Sequence, residues 1–254
     1  MRPRYRSGAM HACACKQSTK DCRPAPAGEP PATVQPDVRV GNLGSGSDYT
    51  AFLQHLGVPS ADIGSRGPYG VYHSAFDNFA WFTMNADPHF VYLQEMARIF
   101  GLEALRMTDT DVLPYDYANY AREISSYLDT AKRKATDAKL GSIDFAPAQA
   151  AANRFATAAQ KMRGRQAAPA GDAARLNLAL RQAEAALVSP AGLPNRPWYR
   201  HTIYAPGEYT GYAAVVIPGV NEAIDAKDAN RAAQQLGVLA QALDHAAHIL
   251  GTAE

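Results

Sequence analysis

The sequence has few cysteines and no long apolar run, and both absences restrict what the chain can be. Its three cysteines, Cys13, Cys15 and Cys22, lie in the first tenth of 254 residues. An odd number of cysteines in a polar segment does not build a disulfide framework. Because no run of about 18 apolar residues occurs, we expect no transmembrane helix. The basic residues near the N-terminus precede no apolar stretch, so no secretory signal is visible and the compartment stays open.

Strong charge is also lacking. The formal net charge is +1, which provides no electrostatic reason to expect nucleic acid or an acidic membrane surface as a partner. The hydrophobic content of 47% over this length is sufficient for one large domain or two small ones. We therefore expect a globular protein without a nucleic-acid partner.

The common catalytic motifs are missing as well. The chain has no serine-hydrolase elbow, no His-Glu-x-x-His and no P-loop. His11, Cys13 and Cys15 form a His-Ala-Cys-Ala-Cys tract that suits a soft metal. A disordered tail with free thiols is the favoured alternative, because Cys-x-Cys is not the usual zinc-finger spacing. His245 and His248 share a helix face but have no obvious third ligand, and we interpret them as a helix end.

The first part of the chain divides into a tail and a short globular segment. Residues 1–36 are rich in proline and poor in large apolar residues, which predicts a disordered tail. Val38–Asn42 is typical of a short strand. Apolar residues spaced at i, i+3, i+4 and i+7 predict a helix over Tyr49–Leu56, with Ser47 as its cap and Gly57 as its C-terminal stop.

Beyond residue 86 the pattern becomes helical. Asp87 and Pro88 suit the start of a helix, and Pro114 separates that helix from the next, which contains Tyr117 and Leu128. Further helices are predicted over residues 147–163, 172–188 and 228–250, the last capped by Asp228. A long aromatic loop, Trp198–Tyr212, precedes the last helix, and loops of this length are often functional.

Four separated segments together resemble one family. They are Gly44-Ser-Gly-Ser-Asp48 with the helix after it, Tyr72-His-Ser74, Val112-Leu-Pro-Tyr-Asp116 and Leu193-Pro-Asn-Arg-Pro-Trp-Tyr-Arg-His201. Their order and spacing are similar to those of the glutamate carboxypeptidase and transferrin receptor family of zinc peptidases. The resemblance covers residues 38–254. It implies an α/β fragment over 37–86, the end of a peptidase domain, followed by a mainly helical transferrin receptor-like dimerisation domain over 87–254.

The resemblance also implies a chemistry. The family's enzymes remove C-terminal glutamate from peptides or folate polyglutamates with two zinc ions, which polarise the scissile carbonyl and activate water. By this resemblance His73 is a zinc ligand, Tyr72 contacts substrate, and Gly46 and Ser47 line the substrate cleft. Tyr212 matches a tyrosine that contacts the substrate glutamate.

Two departures from the family pattern bear on specificity and one on activity. Gly211 stands where the family has a lysine, and Ser47 where it has asparagine, so we do not expect a strict glutamate preference. The family's other zinc ligands and its general-base glutamate lie upstream, where this chain has only the proline-rich tail. Each zinc needs about four ligands. We therefore expect the chain alone to be inactive, as the product of a truncated or frameshifted gene or of a misplaced start.

Two other functions remain open. One is a non-catalytic dimerisation or receptor-like module, because the family dimerises through its helical domain and the transferrin receptor shares the fold without the chemistry. The other is a thiol or metal-handling protein that uses Cys13, Cys15 and Cys22. Complete relatives are often exported or anchored to membranes, which leaves the localisation of this chain unassigned. We also expect the isolated chain to be poorly soluble or partly unfolded before residue 86, since its α/β piece lacks partner strands.

Overall fold

A computed structural model describes residues 41–65, 67–169 and 171–252. The predictions made for residues 1–36, including the cysteine and histidine tract, lie outside these ranges. So do residues 38–40 of the predicted strand; its last two residues, Gly41 and Asn42, belong to no strand.

The first described segment consists of turns and short helical pieces. A π-helical turn spans Ala51–Leu56, and Gly57 follows it with φ of 68°, so the predicted stop is confirmed. Ser47 does not cap this helix with its side chain; instead its carbonyl accepts the N–H of Thr50 at 3.1 Å. Helix α1 (Phe79–Trp81) continues into a second π-helical turn, Phe82–Ala86. Described residues before 87 contain no strand, so the expected α/β character of this piece is not visible in it.

Helix α2 (Val91–Asp109) begins later than Pro88. Asp87 still caps this helix, although it lies four residues before the first helical residue. Its carboxylate oxygens accept the N–H groups of Val91 at 2.8 Å and Leu93 at 2.9 Å. No residue of α2 is buried. Seven of its large apolar side chains are exposed: Val91, Tyr92, Leu93, Ile99, Phe100, Leu102 and Leu105.

The core of the protein is a bundle of four long helices. They are α3 (Tyr117–Asp137), α4 (Ala146–Ala167), α5 (Ala173–Ala185) and α7 (Ala229–Gly251). Helices α4 and α7 are rich in buried alanine, and these small side chains let the helices pack closely. The larger buried residues include Ile124, Phe155, Leu180 and Leu243. Every long helix predicted after residue 116 is present, and Asp228 accepts the N–H of Arg231 at 2.9 Å as the predicted cap.

A small hairpin and one helix between α5 and α7 were not predicted. Strands β1 (Tyr204–Pro206) and β2 (Ala214–Val216) pair antiparallel, with Ala205 opposite Val215. Helix α6 (Pro218–Asp225) follows directly. The predicted aromatic loop Trp198–Tyr212 thus includes the first strand of this hairpin and most of its connecting loop.

Among the helices of the described residues, none is both long enough and apolar enough to span a bilayer.

Candidate functional site

The glycine-rich turn near the start of the described chain contacts the tip of the β1–β2 hairpin. The N–H of Ser45 donates to the carbonyl of Tyr212 at 3.0 Å. Gly44 lies so close to the hairpin tip that a Cβ atom on it would be 1.9 Å from the carbonyl oxygen of Tyr212. Any larger residue at position 44 would therefore separate the two segments.

The ring of Tyr212 lies over Gly46. A Cβ at Gly46 would be 2.7 Å from Cδ1 of Tyr212, and the backbone of Gly46 has φ of 101°. Glycine is required at this position for two reasons: a side chain would collide with the Tyr212 ring, and the positive φ is unfavourable for other residues. Gly46 and Tyr212, two residues that the sequence assigned to one substrate site, are thus neighbours.

His73 and Tyr72 complete the same surface. Their rings stack at 3.9 Å between centroids, and the ring of His73 meets that of Tyr212 edge-on at 6.3 Å and 76°. His73 adopts φ of 61°, a left-handed conformation that is uncommon outside glycine. Tyr72 and Tyr212 are 67% and 57% exposed, so this is an open surface and not a closed pocket.

Ser47 lies at the edge of this group. It follows Gly46 in the chain and is exposed, and its carbonyl accepts hydrogen bonds from the N–H and the hydroxyl of Thr50. The structure therefore brings Gly46, Tyr72, His73 and Tyr212 into one group, with Ser47 at its margin. We call these five residues the Tyr212 surface.

An ion pair fixes the hairpin loop that carries Tyr212. Arg196 contacts Glu222 of α6 through two bonds of 2.8 and 2.7 Å, and it also donates to the carbonyl of Pro206. Glu222 accepts in addition the N–H of Glu208 at 3.0 Å. Both side chains of the pair are mostly buried, at 13% and 15% exposure. The Leu-Pro-Asn-Arg segment singled out in the sequence thus supports the loop.

Gln54 is a part of this region that the sequence interpretation missed. It is fully buried, and its side-chain Nε2 donates to the carbonyls of Leu43 and Gly44. Its own carbonyl accepts the N–H groups of Arg200 and His201. A polar residue between the apolar positions Leu53 and Leu56 of the predicted helix was the only available signal.

A buried polar network lies behind the hairpin. His201 Nε2 is 2.9 Å from Glu184 Oε1, which the hydroxyl of Tyr120 also approaches at 3.4 Å. Tyr120 stacks on Tyr204 with 5.7 Å between centroids. Burial, reinforced by the negative charge of Glu184, raises the pKa of Tyr120 well above its ordinary value. Burial likewise raises the pKa of Tyr204, whose hydroxyl also bonds that of Tyr127.

The described residues do not complete a metal site. Among them no three histidine, cysteine, aspartate or glutamate side chains are grouped in a way that holds a metal ion. His73 is neighboured by two aromatic rings, which are not the anionic or imidazole ligands that zinc takes. His248 lies in the last turn of α7, as expected for a helix end.

Comparisons with known proteins point to one family. Residues 143–251 match the transferrin receptor-like dimerisation domain. The chain is 37% identical over 217 residues to a probable glutamate carboxypeptidase of Arabidopsis thaliana, and 36% identical over 224 residues to one of Arthroderma benhamiae. An aminopeptidase of Rattus norvegicus is 30% identical over 235 residues. These alignments cover 82%, 84% and 83% of the chain but 31% of each relative, so the chain spans about a third of their length.

Proposed function

Since the chain belongs to the glutamate carboxypeptidase family that carries a transferrin receptor-like dimerisation domain, and corresponds to its C-terminal portion, we propose that it forms one wall of a peptidase site. The substrates are the C-terminal residues of peptides or folate polyglutamates. One observation carries this proposal: Gly46, Tyr72, His73 and Tyr212 share one exposed surface although the first and the last lie 166 positions apart in the chain.

In this proposal His73 is one ligand of a dinuclear zinc centre. Bound zinc supplies polarisation of a scissile carbonyl and activation of a water molecule. The described residues contribute a single imidazole, so the remaining ligands and the general-base glutamate must come from outside them. We therefore expect the chain to be inactive by itself.

The aromatic rings and the glycine have the substrate-binding role. Tyr72 and Tyr212 are both mostly exposed, and an amphipathic aromatic side chain in that position suits contacts with a peptide end. Gly46 lets the Tyr212 ring lie directly against the turn, because a side chain at position 46 would collide with that ring. The loop over residues 207–213 carries Glu208 but no lysine or arginine. Without a cation there, a glutamate side chain gains no charge-assisted bond from this loop, so strict glutamate preference is not expected.

A chimera tests the proposal. The matching segment of an active relative would be replaced by residues 41–254, and hydrolysis of peptides ending in glutamate, methionine or alanine would be measured. We expect activity that depends on His73, is lost with His73→Ala, and falls with Tyr212→Ala. Substrates blocked at either end should be included, because one relative is named an aminopeptidase. Full activity of the His73→Ala chimera would exclude the zinc-ligand role.

The second candidate is a non-catalytic dimerisation or receptor-like module. The match of residues 143–251 to a dimerisation domain favours it, and so does the lack of a grouped metal site in the described residues. We propose that this domain extends over 87–254 and mediates a homodimer. Light scattering on the purified chain should give the mass of two copies. Metal analysis discriminates further, since two bound zinc ions per chain would contradict this candidate.

A further inference from the structure

We infer that Gln54 is a positioning residue that sets the approach of Gly46 to Tyr212; this rests on the proposed function, because it concerns the Tyr212 surface. Gln54 makes hydrogen bonds at both of its ends. Its side chain bonds the turn that precedes Gly46, and its backbone bonds the segment that leads into the hairpin with Tyr212. Neither Gly46 nor Tyr212 is itself bonded to Gln54.

The side chain holds the glycine-rich turn. Nε2 lies 2.9 Å from the carbonyl oxygen of Gly44 and 3.2 Å from that of Leu43. These two bonds use both hydrogens of the amide. They fix the two residues that precede Ser45, whose N–H bonds Tyr212, and Gly46, which lies beneath the Tyr212 ring.

The backbone holds the segment that leads into the hairpin. The carbonyl of Gln54 accepts the N–H of Arg200 at 2.8 Å and that of His201 at 3.1 Å. Three residues later β1 begins, and its partner β2 starts two residues after Tyr212. The neighbouring His55 also contacts the segment before the hairpin. Its Nδ1 lies 2.8 Å from the carbonyl oxygen of Trp198, and its ring stacks on the Trp198 indole.

Packing alone does not account for an amide at this position. Gln54 is fully buried, and its Oε1 has no hydrogen-bond partner within the described part of the chain. A buried acceptor without a partner costs free energy, so an apolar side chain would serve better if filling space were the only need. The two donated bonds are what an apolar residue cannot supply.

Gly44 offers a second way to break the same arrangement, by a steric clash instead of by removal of the Gln54 amide. A methyl group there would collide with the Tyr212 carbonyl at 1.9 Å and with the Ala214 nitrogen at 2.7 Å. Gly44→Ala therefore separates the turn from the hairpin while the Gln54 side chain itself stays unchanged. Gly41→Ala is the matched control in the same segment, because nothing lies within 4 Å of a Cβ at that position.

The experiment compares the full chain with Gln54→Met, Gly44→Ala and Gly41→Ala by NMR. The readout is the contact of the Gly46 α-protons with the Tyr212 ring, seen as an NOE and a ring-current shift. Methyl signals of Leu180 and Leu243 report the core. We expect Gln54→Met and Gly44→Ala to lose the NOE with unchanged core signals, and Gly41→Ala to keep it. A persistent NOE in Gln54→Met, or core signals that move together with it, would overturn the inference.

A titration with N-acetyl-alanyl-glutamate separates this inference from the proposed function. If the wild-type chain binds the peptide through Tyr72 and Tyr212, both disrupted variants should bind it roughly tenfold more weakly. If the wild type shows the Gly46–Tyr212 contact but binds no peptide, the substrate-binding proposal fails. The positioning role of Gln54 is then still decided by the NOE in Gln54→Met.

Discussion

The imidazole of His201 is fully buried, with its Nε2 2.9 Å from the carboxylate Oε1 of Glu184. Its Nδ1 accepts the N–H groups of Ile203 at 3.2 Å and Tyr204 at 3.1 Å. A nitrogen that accepts carries no proton, so the ring is the neutral tautomer whose Nε2–H donates to Glu184. This pair connects the end of α5 to the start of the hairpin.

His201→Ala should destabilise the chain strongly. The substitution leaves the buried Glu184 carboxylate without its main donor, and the loss of a buried hydrogen bond to a charged group costs about 1.5–3 kcal/mol. Urea unfolding followed by circular dichroism measures the change. Asp225→Ala is the control, since its pair with Lys134 is largely solvent-exposed and worth about 0–1 kcal/mol. Equal losses in the two variants would contradict a special contribution from the buried pair.

Arg196→Lys should loosen the hairpin although it keeps the charge. Lysine cannot form the two-pronged contact with Glu222 while also donating to the Pro206 carbonyl. We expect a loss of about 1.5–3 kcal/mol and faster amide hydrogen exchange over residues 204–216. Arg122→Lys, an exposed site bonded to Asn119, should change stability by less than about 0.5 kcal/mol. Unchanged exchange in the hairpin would show that the ion pair does not support it.

Alkaline pH should unfold the chain through its buried tyrosines. Burial raises the pKa of Tyr117, Tyr120 and Tyr204 in the folded state, so the folded chain retains protons that the unfolded chain loses above about pH 10. Their contribution to stability is therefore complete below pH 10 and falls as the pH rises further. Urea unfolding at several pH values measures this decline. Tyr120→Phe should reduce its slope by about 1.4 kcal/mol per pH unit, and an unaltered slope would contradict the assignment.

The exposed apolar side chains of α2 should make it the least protected long helix and a site of association. No residue of α2 is buried, whereas seven residues of α3 are. We expect hydrogen exchange over residues 91–109 to be faster than over 117–137. Leu93→Glu with Phe100→Glu should raise solubility without loss of stability. Leu128→Glu, at a buried position, should unfold the bundle. Equal protection of α2 and α3 at a concentration at which the chain is monomeric would contradict the low protection expected of α2.

Features governed by neighbouring residues were available from the sequence alone. The cap at Asp228, the left-handed Gly57 and the long helices of the bundle follow from spacing and capping chemistry within a few residues. The four matching segments also indicated the family. The start of α2 was predicted too early, at Pro88. Asp87 accepts N–H groups four and six residues later, and the helix begins at Val91.

The tertiary structure decided how the candidate site is assembled. Nothing local in the sequence indicates that Ser45 bonds Tyr212, that Gly44 has no room for a side chain, or that Gln54 connects two distant segments. The hairpin was missed because three-residue strands have no measurable periodicity, and α6 was missed because its eight residues are too few to show a helical period clearly. Spacing along the chain determines helices, since their bonds join residues four apart. The Tyr212 surface depends on contacts across about 170 residues, which only the folded chain specifies.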